Sequence, residues 1–206
     1  MEPIITEALR YLGASPANAA LRADLSALAE ELQRRITPRF TWALTETAAL
    51  ALPGRSARVM LTDCPTSAVL VCTLGAEFDL WMRQLQHRDM ARAVMLDALG
   101  SAYVESSCDT AEKAIQARFP HKYLTDRFSP GYGDLPLSVQ PTLLDLAGAS
   151  RIGVAVTPSL LMTPQKSVSA IIGLADSPQP ARIRGCAYCS MNKTCQYRNK
   201  GITCHV

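Results

Sequence analysis

Apolar residues recur along the first part of the chain at helical spacing. Ile4, Ile5, Ala8, Leu9 and Leu12 share one face and stop at Gly13, which predicts a short amphipathic helix. Ser15-Pro16 then supplies an N-cap followed by a proline at the first helical position, opening a second helix. Its stripe runs Leu21, Leu25, Leu28, Leu32 and Ile36 until Pro38 ends it, with Glu30–Arg34 and Glu31–Arg35 one turn apart on the wet side. The period changes to two at Phe40, Trp42 and Leu44, predicting a strand, while residues 55–62 fit either period. Ala68 to Leu74 is nearly all apolar and ends at Gly75, the pattern of a buried strand. Phe78, Trp81, Met82 and Leu85 restore helical spacing, and a longer helix is expected from about Asp89 to Arg118, carrying Ala91, Met95, Ala98, Ala102 and Ile115. Finally Ile152, Val154 and Val156 alternate, as do Val168, Ala170 and Ile172, which predicts an antiparallel pair with a long connection.

Composition narrows the class. With 206 residues, 48% hydrophobic and 19% charged, the chain can bury a substantial core and is not disordered. The formal charge is +3, unevenly spread: residues 177–206 hold Arg182, Arg184, Lys193, Arg198 and Lys200 with no acid, leaving 16 basic against 18 acidic side chains before them. The longest apolar run is too short to span a bilayer and no basic leader precedes it, so a cytoplasmic protein without a membrane partner is expected. The basic end also carries Cys186, Cys189, Cys195 and Cys204, with His205 beside the last. Thiolates spaced C-x2-C can bite one metal from a single turn, and two more complete a set for an iron–sulfur cluster or zinc. The division expected is therefore a domain at 1–176 and a metal-binding tail at 177–206. Cys64, Cys72 and Cys108 read as small buried hydrophobes.

Between the helical and the alternating segments lies Arg127-Phe128-Ser129-Pro130-Gly131-Tyr132-Gly133. Proline and glycine at that density exclude helix and deny donors to a sheet ladder, so the stretch should be a fixed loop with exposed carbonyls. It offers one permanent cation and one phenol, and its plain alternative is a structural turn.

The pattern Arg127-x-x-Pro130-Gly131-Tyr132 resembles the Arg-Pro-Ala-Pro-Gly-Tyr loop of the activation domain of cobalamin-dependent methionine synthase. Residues 136–148, 152–164 and 166–173 follow in that family's order, and 73–79 and 97–105 resemble its free-standing versions. The resemblance spans roughly residues 4 to 200, with its specific part at 127–173. It departs where the family's Thr-Glu-Ser reads Thr157-Pro158-Ser159. Pattern and resemblance together imply an α+β fold, N-terminal helices around a central, mainly antiparallel sheet with a cysteine-rich C-terminal appendage.

The resemblance implies binding of S-adenosylmethionine and reductive reactivation of a cobalamin carried by a separate corrinoid-binding methyltransferase, with a low-potential electron donor. It assigns Arg127 to the ligand carboxylate, Phe128, Ser129, Pro130 and Gly131 to the adenine and ribose side, Tyr132 to the neighbourhood of the sulfonium and Glu105 to charge compensation. No cobalt-ligand motif is present, so cobalamin belongs to the partner, and no catalytic base is implied. A noncatalytic cap on a corrinoid methyltransferase is an alternative that Pro158 keeps open. A zinc-dependent nucleic-acid module would leave the loop and the acidic body unexplained.

Overall fold

The apolar run at 68–74 decides the architecture. A strand buried on both faces must sit inside a sheet with cover on either side. In the computed structural model, which describes residues 1–179, 193–195 and 199, β2 (Thr66–Thr73) pairs antiparallel with β1 (Arg39–Glu46), from Arg39↔Thr73 to Glu46↔Thr66. On its other side it pairs antiparallel with β6 (Ser167–Ala175), and β3 (Tyr123–Leu124) takes the far edge of β6. The period of two then sorts the side chains. Ala68, Leu70, Cys72, Ile172 and Leu174 face a core under α1 (Glu2–Tyr11), α2 (Ala19–Arg35), α4 (Ala76–Arg88) and α5 (Met90–Arg118). Val69, Val71 and Ile171 face a second core shared with α3 (Ser56–Met60), α6 (Gln140–Ala147), Phe128, Leu135 and Val154. Each fully buried leucine in these layers contributes roughly 1.5–3 kcal/mol.

The long helix expected near Asp89 is α5, with the Asp89 side chain accepting from the Arg92 N–H at 3.0 Å. Residues 55–62, open to either period, contain α3. Two expectations are corrected. Ser15-Pro16 does not open α2: the Ser15 hydroxyl closes on the Ala17 N–H, and Asn18 caps the helix instead by accepting from Leu21 N–H at 3.1 Å. Both are capping residues, and the nearer to the first apolar turn is used. Residues 152–156 also do not pair with 168–172. Ala155–Val156 (β4) forms a small hairpin with Met162–Thr163 (β5), closed by Thr157 N–H donating to the Leu161 carbonyl at 2.8 Å. The central position of β6 accounts for this: β2 covers Ser167–Leu174 on one edge, and on the other Thr125 and Phe128 already bond to Gly173 and Ile171.

Among the described residues, no helix is long and apolar enough to cross a membrane. Most of the cysteine-rich appendage lies outside them.

Candidate functional site

A helix repeats its face every three or four residues, so Glu105, Asp109 and Glu112 project on one side of α5. After α5 the chain returns along β6 as an irregular edge. Thr125 N–H donates to the Gly173 carbonyl at 2.9 Å, Phe128 N–H to Ile171 at 3.0 Å, and Ile171 N–H back to Phe128 at 2.9 Å. The expectation that this loop would deny donors to the ladder fails at Phe128, because the proline begins only two residues later. Extended backbone sends neighbouring side chains to opposite faces. Phe128 therefore enters the second core at 5% exposure, and Arg127 turns toward α5.

There the guanidinium meets three carboxylates. Its Nη2 lies 3.1 Å from Glu105 Oε2, and its Nη1 lies 2.8 Å from Asp109 Oδ1 and 3.0 Å from Glu112 Oε1. Burial alone would lower the Arg127 pKa, but the Asp109 hydrogen bond and the Glu112 and Glu105 charges outweigh it and raise the pKa above its ordinary value. Three acids against one base leave a local surplus of two negative charges. Such a surplus attracts a cation and disfavours a free anion.

Tyr11, at the end of α1, lies under the Arg10 guanidinium, 4.8 Å from its ring, and feels Glu105 of this patch only weakly. Its phenol is pushed up to about 12, first by burial and then by the charge and hydrogen bond of Glu7, partly offset by Arg10, with Glu105 adding the smallest push. Beneath lies Cys108, whose thiol is raised by its hydrogen bond to Cys72 and then by burial. Both sulfurs are fully buried, in keeping with the structural role expected from sequence.

Past Phe128 the loop is held by its own backbone. Gly131 N–H donates to Leu135 at 2.8 Å, Tyr132 N–H to Ser129 at 3.2 Å, and Leu135 N–H to Tyr132 at 3.1 Å. Gly131 adopts φ 88°, a conformation side-chain-bearing residues rarely adopt. Pro130 is buried and Asp134 accepts from the N–H groups of Arg55 and Ser56, tying the loop to the start of α3. Among the described residues no hydrogen bond engages the Ser129 N–H or the carbonyls of Pro130 and Gly131.

Arg127 and Glu105 are thus brought together, Phe128 is spent on the core, and Tyr132 stands 69% exposed. Asp109 and Glu112 were not foreseen, although their spacing from Glu105 marks one helical face. Asp97, another acid of α5, pairs with Lys166 at 2.9 Å. Pro158 is exposed in the β4–β5 turn. Of the expected metal ligands, Cys186, Cys189 and Cys204 lie outside the described residues, and Cys195 is half-buried. Among the described residues no group of three or more His, Cys, Asp or Glu side chains is placed to hold a metal ion.

No protein-family model and no curated protein matches the chain. Among solved structures it is similar to the reactivation domain of MetH bound to AdoHcy. The TM-score is 0.60, with 91% of this chain and 75% of that chain covered at 16% identity. That likeness establishes the fold.

Proposed function

We propose that this chain binds S-adenosylmethionine and presents its methyl group to the cobalt of a corrinoid held by a separate methyltransferase of methionine synthase type, restoring that partner after oxidation. The observation that supports this most is a fold shared, over nearly the whole chain, with a reactivation domain that binds AdoHcy. AdoHcy is S-adenosylmethionine without its transferred methyl group. The site's chemistry agrees. A sulfonium ligand with an α-ammonium group suits a patch carrying surplus carboxylate, and its own carboxylate requires a planar cation such as Arg127.

When bound, S-adenosylmethionine supplies an activated methyl group, which Co(I) on the partner accepts once a low-potential donor has delivered an electron. The chain's residues perform the holding. Arg127 takes the carboxylate, and Glu105 balances the positive charge. The unengaged backbone groups of Ser129, Pro130 and Gly131 offer hydrogen bonds to the adenosine portion, and Tyr132 provides an exposed aromatic surface beside them. Phe128 contributes from within the core by fixing the loop to β6. Orientation and exclusion of water account for the acceleration, and no proton-abstracting residue is needed.

An absorbance time course tests this with a corrinoid protein in the Co(II) state, a low-potential reductant and S-adenosylmethionine. Conversion to methyl-Co(III) is expected only when this chain is added. Equal conversion without it would overturn the proposal.

A further inference from the structure

The protein's own acids take three of the five N–H donors of Arg127, one on Nη2 and two on Nη1. An incoming carboxylate that bridges the two terminal nitrogens must therefore displace one of these acids, since Nη1 already faces two. The three differ in what their withdrawal would cost. Asp109 is the most exposed, at 59% against 46% for Glu105 and 29% for Glu112. It also shares Nη1 with Glu112, so when Asp109 swings into water Arg127 keeps a carboxylate on each nitrogen. An exposed acid on a helix surface loses little on becoming hydrated.

We infer that Asp109 is an autoinhibitory competitor for the ligand carboxylate, setting how strongly the site prefers carboxylate-bearing S-adenosyl compounds. The inference rests on the reading of Arg127 as the carboxylate's partner. Asp109 acts through Arg127 and is in this sense a specificity-determining residue. Its charge also attracts the sulfonium and ammonium groups, which would blur a comparison using one ligand. S-adenosylmethionine and its decarboxylated form both carry those cations and differ in the carboxylate, so the ratio of their affinities isolates the contact at Arg127.

The test measures dissociation constants of both compounds for the full chain and for its Asp109→Asn and Asp109→Ala variants. Both changes fall on an exposed helical position, where alanine favours the helix. The preference for S-adenosylmethionine over its decarboxylated form is expected to rise about tenfold in each variant. Adding Arg127→Ala should abolish that rise, a coupling that a merely structural role for Asp109 would not produce. A ratio that stays unchanged or falls, with S-adenosylmethionine still bound, would overturn the inference alone. Failure of wild type and both variants to bind S-adenosylmethionine would overturn the inference and the functional reading together.

Discussion

The Tyr11 titration reports on its burial and on Glu7, with Glu105 adding the smallest contribution. Its phenol ionises near 12, above the ordinary 10, so the folded chain retains a proton there that the unfolded chain gives up. Below pH 10 the resulting stabilisation is fully present, and it is lost as the pH rises from 10 toward 12. Denaturation of wild type and Tyr11→Phe across that window should show a steeper fall for wild type, and parallel curves would show that burial and Glu7 leave the phenol unperturbed. The thiols make a second case. Cys72 and Cys108 are fully buried, with Cys108 further held protonated by its partner, so neither should react with a thiol reagent until the chain unfolds. Modification at either position in the native protein, read by mass spectrometry, would contradict this. Arg127 and Glu105, singled out in the sequence because the loop motif and one acid of α5 resemble a known domain, lie together in the structure. Asp109 and Glu112 were not singled out, because nothing local states which side of a 29-residue helix lies beneath a loop that returns nine residues after its end.

The contact between α4 and α5 depends on a missing side chain. A Cβ built on Gly100 would lie 2.3 Å from the ring of Phe78, which is 1% exposed and cannot move aside. Gly100→Ala gains about 1 kcal/mol of helix propensity but overpacks the core by about 1–3 kcal/mol. The expected net effect is a lower Tm in thermal unfolding, and an unchanged or higher Tm would show that α4 can shift. Asp134 is the corresponding element-level tie between loop and α3. The N–H groups of Arg55 and Ser56 hold its carboxyl below the ordinary 3.8, so its contribution is present above that value and is lost as the pH falls below it. Asp134→Ala should lower Tm at neutral pH and converge with wild type in acid. Long periodic elements were readable in advance, α5 almost to its ends, since 3.6-residue spacing accumulates over eight turns. The pairing of β4 with β5 was not. Alternation identifies a strand without naming its neighbour, and a two-residue strand leaves almost no pattern.

At the scale of the whole molecule, helices on one side of the sheet support α5 and its acids, and the second core anchors the loop through Phe128. We propose that Cys186, Cys189, Cys195 and Cys204 hold an iron–sulfur cluster able to deliver the reducing electron, so anaerobic purification should yield a brown protein containing iron and acid-labile sulfide, with visible absorption that bleaches on reduction. A colourless protein holding zinc and no iron would make the tail a structural brace and leave the electron to an external donor. The central claim, that Arg127 and its surroundings receive S-adenosylmethionine, is tested most directly by titration calorimetry of the full chain. Saturable binding by wild type is predicted, weakened by about 2 kcal/mol or more in Arg127→Ala because a charge-assisted pair is lost. Absence of binding to wild type, or equal affinity in the two proteins, would contradict it.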